Sequence, residues 1–305
     1  MAEAGGPETG ATVRDGPPAL PENSWDCHIH VFPEPERFGF APDRLYTPLP
    51  VSPSDARAVM RRLGARFAVI QHATPYGSDN DSLIWSVAAM RESAVGVAAC
   101  LPEQEMRRLD PADWMAAGIA GFRIHAAGPD ACSRAGRLLE TAAAALAGSP
   151  MHVDIHVRGD AAAGLADIVR RLPVPVVLDH FAGMAPIDGK TPPALMTLME
   201  GGNVWLKLSA GYRVPGLDDG NLGETVARLM DSFPTRCLWG SDWPHTPPHP
   251  AGDAERLRTR PYREIDTVGL ARRTSGNLTD AQRYLLFVGN PGEFYGWALG
   301  NAARR

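Results

Sequence analysis

Two histidines one residue apart, in Asp26-Cys27-His28-Ile29-His30-Val31-Phe32, carry the greatest capacity for chemistry in this chain. The alternation of polar and apolar side chains reads as a β-strand, where residues i and i+2 share a face, so both imidazoles point to one place. A pair so placed suits a divalent metal, or two hydrogen-bond donors aimed at one substrate oxygen. An isolated HxH pattern also arises as ordinary polarity in a core or loop. Its weight therefore depends on what the rest of the chain brings to the same place.

Further residues of the same kind stand at the ends of other apolar runs. They are Gln71 and His72, Arg123 and His125, His156, Asp179 and His180, Lys207 and Ser209, and Ser241 and Asp242. The runs, rich in Val, Ile and Leu, predict strands over 25–31, 66–71, 94–100, 119–125, 151–157, 174–180, 203–209 and 236–242. Segments of helical periodicity lie between them, among them 54–63, 79–91, 133–147, 160–171 and 222–232, several opened by Ser or Asp as N-cap. Eight such units predict an α/β fold, a closed parallel (β/α)8 TIM barrel in a single domain over residues 24–300. Strands of such a barrel are buried on both faces, and their C-terminal ends converge on one mouth, where barrel enzymes keep their active sites. The long Pro-rich stretch after strand eight, residues 243–277, reads as a loop over that mouth. Segments 279–288 and 291–299 read as closing helices joined at Gly289-Asn290.

Bulk properties bound the partner. The chain has 305 residues, 44% of them hydrophobic, enough for a large core, and a net charge of −5 that leaves no electrostatic footprint for nucleic acid. No basic amphipathic stretch suggests a membrane surface, and no apolar run approaches membrane-spanning length. The four cysteines, Cys27, Cys100, Cys132 and Cys237, show no CxxC spacing, which argues against a zinc ribbon or a disulfide scaffold and for a reducing cytoplasm. Residues 1–23, rich in Gly, Pro, Ala and Glu, read as a disordered tail and not as a signal peptide. The expected partner is a small molecule, and association into a homo-oligomer stays open.

Taken in order, the motifs resemble the amidohydrolase superfamily, and within it the metal-independent lactonase branch. They are the HxH segment, Phe40-Ala41-Pro42-Asp43-Arg44-Leu45-Tyr46-Thr47-Pro48, Tyr76-Gly77-Ser78-Asp79-Asn80, Gly121-Phe122-Arg123, Leu178-Asp179-His180, Val204-Trp205-Leu206-Lys207-Leu208-Ser209 and Leu238-Trp239-Gly240-Ser241-Asp242-Trp243-Pro244-His245. The resemblance spans about residues 24 to 297 and implies a distorted (β/α)8 barrel that opens a cyclic ester with water. It implies Asp242 as the general base, and His28, His30 and His180 as the groups that polarise the lactone carbonyl. Arg123 carries over as a clamp for a substrate carboxylate and Arg213 as a second. Tyr46, Thr74, His156 and Lys207 complete the expected substrate-binding set. An aspartate is ordinarily a weak base, so it acts only on a water held in near-attack geometry, with donors fixed to receive the oxyanion.

No metal is expected to be required, but His28, His30, His156, His180 and Asp242 are the alternative ligands for a single Zn2+. A binuclear centre is disfavoured, because the strand-four position that bridges two metals elsewhere in the superfamily is Arg123, which does not ligate. The chain also departs from the pattern of pyrone-dicarboxylate enzymes. A further arginine expected shortly after Arg123 is missing, the segment reading Ala126-Ala127-Gly128-Pro129-Asp130, and strand five offers His156 where a tyrosine is expected. Arg134 and Arg158 are the candidate replacements for that charge. The expected substrate is thus a carboxylated lactone, of pyrone-dicarboxylate or sugar-acid type. The alternatives are an isomerase of a sugar-diacid lactone and a zinc-dependent decarboxylase or hydratase.

Overall fold

The apolar runs fold as eight strands that pair in chain order, each parallel to its neighbours. A computed structural model describes residues 19–126, 130–157, 159–184, 186, 189–201, 203–248 and 253–304. The strands are β1 Ser24–Ile29, β2 Ala65–Gln71, β3 Ala94–Ala99, β4 Ile119–His125, β5 His152–His156, β6 Val176–Leu178, β7 Val204–Ser209 and β8 Cys237–Gly240. The ring closes just beyond β8, where the Asp242 amide donates to the His28 carbonyl at 2.9 Å and the His30 amide to the Trp243 carbonyl at 2.8 Å. Gly240 makes this closure possible, since a Cβ there would lie 2.5 Å from the Cβ of His28. The architecture is the (β/α)8 barrel that the sequence predicts.

Strands β1, β6 and β8 each stop two residues earlier than their apolar runs suggest. His180 (φ 50°) ends the extension of β6 and Asp242 (φ 63°) that of β8, because both take left-handed backbone that no strand continues through. In β1 a register shift between Asp26 and Ile29 relative to β2 inserts a bulge. Below the bulge Trp25 and Cys27 join the cluster inside the barrel, with Val69, Val97, Val177 and Leu238, and above it His28 and His30 turn to the mouth. Bulges re-aim side chains in this way. Tyr295 and Leu299 of the C-terminal segment plug the barrel from the opposite end, with Tyr295 stacked on Trp25 at 5.9 Å.

Helices Pro53–Leu63, Asp81–Ala89, Ala131–Leu146, Pro193–Glu200 and Leu222–Ser232 pack outside the strands. The first is closed at both ends, by a Ser52–Asp55 capping box and by Gly64 in left-handed conformation. The expected helix over 160–171 is two short ones, Gly159–Ala163 and Ala166–Val169. The expected break at Gly289-Asn290 is absent: Asp280–Tyr284 runs through a π-turn at 285–289 into Asn290–Tyr295, and Pro291 sits near the start of that last helix where its missing amide costs nothing. Residues 1–18 of the expected tail lie outside the described residues, as do 127–129 and Arg158. Ala19 and Leu20 are buried, and the Leu20 amide bonds the Leu63 carbonyl.

The segment after β8 contains the helix Thr267–Ser275, capped by Asp266, and is tied down on the way. Thr47 pairs with Thr259 and donates to the Arg256 carbonyl at 2.8 Å; Tyr262 stacks on Phe32 and donates to the Leu49 carbonyl. The segments 32–51 and 256–262 thus form one bonded rim. All four cysteines are free, and no helix among the described residues is long and apolar enough to cross a membrane.

Candidate active site

The polar strand ends gather as the register requires. Asp242 stands at the centre. Its Oδ1 faces three imidazoles, with Nε2 of His28 and of His30 each at 3.6 Å and Nε2 of His180 at 3.9 Å. Its Oδ2 accepts from the Tyr212 hydroxyl and from Nε of Arg213, both at 2.7 Å. The carboxylate is therefore oriented on one side and open to the imidazoles on the other. Six residues in the turns that follow β6, β7 and β8 hold left-handed backbone without being glycine: His180, Phe181 (φ 57°), Ala182 (φ 56°), Ala210 (φ 47°), Asp242 and His245 (φ 68°). Each such conformation costs on the order of 1 kcal/mol or more and persists only where its surroundings fix it.

Each imidazole is held by its other nitrogen. Nδ1 of His30 lies 3.0 Å from the Gln71 carbonyl, Nδ1 of His28 lies 3.4 Å from Oδ1 of Asp179, and Nδ1 of His180 lies 2.8 Å from the Ser209 hydroxyl. A carbonyl or carboxylate only accepts, and Oδ1 of Asp242 is such an acceptor too, so as a neutral ring each of His28 and His30 has one N–H between two acceptors. His180 differs, because a hydroxyl can donate to Nδ1 and leave the proton on Nε2.

A cavity of about 320 Å³ opens above this centre, lined by His30, His180, Asp242 and Tyr212 on one side and by Arg123, His125 and His156 on another. Arg123 donates from Nε to Oδ2 of Asp179 at 2.8 Å, and its Nη2 lies 3.2 Å from Nδ1 of His156. His156 stacks on His125 at 4.7 Å. Beneath the floor, Lys207 is fully buried, bonded to Asp154 and 3.3 Å from Oδ1 of Asp179; His152 completes the layer, 3.0 Å from Asp154.

Burial and charge set the protonation states. Burial alone would raise the Asp242 carboxyl, but the Arg213 guanidinium and the facing imidazoles outweigh it and hold it well below the usual carboxylate range. Asp179 is likewise held low against burial, by Lys207 and Arg123. Burial pushes the His28 imidazole well below its ordinary value and His180 down to about 4, and His156 is lowered by burial and by the charge of Arg123. The buried Asp26, which takes the Ser241 amide at 2.8 Å, is pushed up to about 7 by desolvation.

Among the residues expected from sequence, His28, His30, His180 and Asp242 converge, and Arg123, Arg213, Tyr46, Thr74 and His156 all line the cavity. Lys207 does not. It lies below the floor with no exposed surface, so the expectation of a substrate contact is corrected: its charge is absorbed by two aspartates. Arg213 reaches the wall with Nε on Asp242 and Nη2 donating to both the carbonyl and hydroxyl of Thr246, so two of its nitrogens are engaged by the protein, as they are in Arg123. Of the five alternative zinc ligands, His28, His180 and Asp242 form a cluster with ligand atoms within 4.8 Å of one another, whereas His156 is turned to Arg123.

Sequence reasoning missed several members. Tyr212, next to Arg213, bonds Asp242 and lies 3.1 Å from Nδ1 of His245, whose Nε2 lies 2.8 Å from the Thr267 hydroxyl. The Trp-Pro-His motif pointed to His245 without a role. Arg263, from the segment after β8, also lines the cavity. Nothing in its local sequence signals this, because its reach depends on the path of a long connection.

Comparison with known proteins places this geometry. The amidohydrolase family profile matches residues 25–297. The chain belongs to the amidohydrolase family. It is 30% identical over 289 residues to a 4-sulfomuconolactone hydrolase of Rhizobium radiobacter, covering 91% of each chain. It is 30% identical over 243 residues to a 2-pyrone-4,6-dicarboxylate hydrolase of Comamonas testosteroni, covering 74% of this chain and 78% of the relative. A D-galactarolactone isomerase of Agrobacterium fabrum is 29% identical over 297 residues, at 90% and 91% coverage. In this amidohydrolase Asp242, His28, His30 and His180 lie together at the ends of strands eight, one and six.

Proposed function

We propose that the protein is a lactonase that opens an anionic cyclic ester with water. The observation that carries the reading is the divided environment of Asp242, whose Oδ2 is fixed by Tyr212 and Arg213 while Oδ1 faces the cavity among three imidazoles. The three relatives named above act on lactones, two as hydrolases and one as an isomerase.

In the proposed reaction Oδ1 of Asp242 takes a proton from a water lying over it, and the oxygen adds to the lactone carbonyl carbon. His180, with Ser209 donating to its Nδ1, offers Nε2–H to the developing oxyanion. His28 and His30 stand beside the same water, each with its Nε2 toward Oδ1 of Asp242. Collapse of the tetrahedral intermediate breaks the ring C–O bond, and the proton on Asp242 passes to the departing ring oxygen. The low affinity of Asp242 for a proton keeps it ionised at neutral pH and makes it quick to return the proton. Arg123 carries a substrate carboxylate on its guanidinium edge beside His156.

A single Zn2+ is the second reading, and the clustering of His28, His180 and Asp242 favours it. Nδ1 of His28 and of His30 each lies beside an acceptor, an arrangement that lets Nε2 offer its lone pair when a metal binds. His28, His180 and Asp242 would hold the ion with His30 beside them, and when bound it would polarise the carbonyl as a Lewis acid.

One experiment tests both. Purified protein is presented with 4-sulfomuconolactone, 2-pyrone-4,6-dicarboxylate and D-galactarolactone in weak buffer with a pH indicator, before and after chelation, with metal content measured alongside. Acid release from at least one lactone is the expected result. Activity that survives complete demetallation removes the zinc reading, and activity restored only by Zn2+ removes the metal-free one. Conversion to an isomeric lactone without acid release moves the protein to the isomerases, and no turnover of any of the three overturns the proposal.

A further inference from the structure

His245 has no place in the reaction just described and does not line the cavity, yet its buried imidazole is bonded at both nitrogens. Nδ1 lies 3.1 Å from the Tyr212 hydroxyl, and Nε2 lies 2.8 Å from the Thr267 hydroxyl. The backbone around it is fixed as well. Its amide donates to the Asp242 carbonyl at 2.8 Å, and its carbonyl accepts from the Arg263 amide at 2.8 Å. These bonds hold His245 at φ 68°, a left-handed conformation that persists only where the surroundings impose it.

The direction of each hydrogen bond follows from its neighbours. Oδ2 of the ionised Asp242 only accepts, so the Tyr212 hydroxyl, 2.7 Å away, places its one hydrogen there. What the hydroxyl turns to His245 is then a lone pair, so Nδ1 carries a proton. Burial keeps the imidazole neutral near neutral pH despite the attraction of Asp242, so Nε2 carries none and accepts from the Thr267 hydroxyl. The result is a one-way chain of donors from Thr267 to His245, to Tyr212, to Asp242. It starts at the first residue of helix Thr267–Ser275 and ends on the base. No proton travels along it; each hydrogen stays on its own atom. The direction matters because a phenol hydroxyl rotates to suit its partners. Were Nδ1 to offer a lone pair, the Tyr212 hydrogen would be free to turn to the ring and leave Oδ2 one donor short.

We propose that His245, held in its Nδ1–H tautomer by Thr267, is a positioning residue that locks the Tyr212 hydroxyl as a donor to Asp242. With Oδ2 so occupied, Oδ1 is the oxygen left to the water over it. The consequence for turnover rests on the lactonase reading, but the tautomer itself is tested without turnover.

The test combines NMR with kinetics. In protein carrying isotope-labelled histidine, near neutral pH, the His245 ring is assigned by its loss in His245→Asn and should show a proton on Nδ1 and none on Nε2. Thr267→Val should shift that ring toward the other tautomer. On whichever lactone the wild type opens, Thr267→Val should lower kcat by about three- to tenfold, the scale of one neutral hydrogen bond, with KM within about twofold. His245→Gln, whose amide reaches the place of Nε2, should lower kcat by at least about tenfold. His245→Asn keeps an N–H where Nδ1 stands and tolerates left-handed backbone, so its kcat should stay within about threefold of the wild type. In a Tyr212→Phe background the hydroxyl to be positioned is gone, and Thr267→Val should lower kcat by no more than about twofold further. Thr267→Val decides the matter if His245→Gln folds poorly. A wild-type ring protonated on Nε2, a rise in KM with kcat steady, or full additivity of Thr267→Val and Tyr212→Phe would overturn the proposal. The expected tautomer without hydrolysis of any lactone would overturn the lactonase reading and leave the chain of donors standing, whereas hydrolysis by a protein with Nε2 protonated would do the reverse.

Discussion

Lys207 gives the sharpest prediction about what holds the mouth together. It sits without exposed surface between Asp154 and Asp179, in a buried layer where Lys207 and Arg123 face those two carboxylates in equal number. Lys207→Met keeps the volume of the side chain but leaves one buried negative charge without its partner. Breaking one side of a buried pair costs about 3–5 kcal/mol, because the stranded charge has lost both water and its counterion. At roughly 2 °C per kcal/mol for a chain of this size, the melting temperature should fall by about 6–10 °C. Adding Asp154→Asn restores neutrality in the layer and should recover most of that loss, so the double variant should be more stable than the single one. Urea denaturation of the wild type, both single variants and the double variant measures the coupling directly. A Lys207→Met protein as stable as the wild type, or a double variant no more stable than Lys207→Met, would refute the reasoning. A substrate contact would show differently, as a rise in KM confined to anionic lactones with stability unchanged.

Three further outcomes follow from the site and its frame. Tyr212→Phe removes one of the two donors on Oδ2 of Asp242, so the carboxylate becomes more basic and the acid limb of the kcat/KM profile should move to higher pH by about 1–2 units; an unmoved limb would show that Tyr212 does not tune the base. His72, buried with Nε2 2.8 Å from the Asp79 carbonyl, is lowered to about 4 by burial, so from about pH 6.5 down to pH 4 the unfolded chain binds a proton that the folded one does not. Stability should therefore fall on acidification through that window, and His72→Gln should reduce the slope of unfolding free energy against pH by up to about 1.4 kcal/mol per unit, with an unchanged slope counting against the assignment. Gly240→Ala places a methyl against the His28 backbone and Cβ, and should lower the melting temperature and cut kcat by at least about tenfold; a fully active, fully stable variant would contradict the close approach of β8 to β1.

The barrel was legible in the sequence because its strands are buried on both faces and so read as apolar runs that turn polar at one end. His28, His30, His180 and Asp242 were legible for the same reason, each lying at the end of such a run. The role of Lys207 was not. Its position at the end of β7 resembles that of a mouth residue, and only the depth of Asp154 and Asp179 shows that it is consumed below the floor. The bonds of Arg213 to Asp242 and Thr246 follow the left-handed turn at Ala210, which side-chain pattern does not encode. Helix Pro193–Glu200 escaped prediction because its N-cap is proline and carries no side-chain acceptor. Arg263 is separated from its nearest strand by more than twenty residues, so no local periodicity could place it.

Asp242 is also the stitch between the last strand and the first, its amide bonded to the His28 carbonyl. Any breathing motion that parts these two strands dismantles the reactive centre in the same event, so amide-exchange protection at Asp242 and catalytic competence should decay as one process. The same coupling constrains how the chain can be rewired. A circular permutant opened at Gly148, an exposed turn residue ahead of β5 with no neighbour within 4 Å of a would-be Cβ, leaves that stitch intact, whereas one opened between Gly240 and Asp242 severs scaffold and chemistry with a single cut.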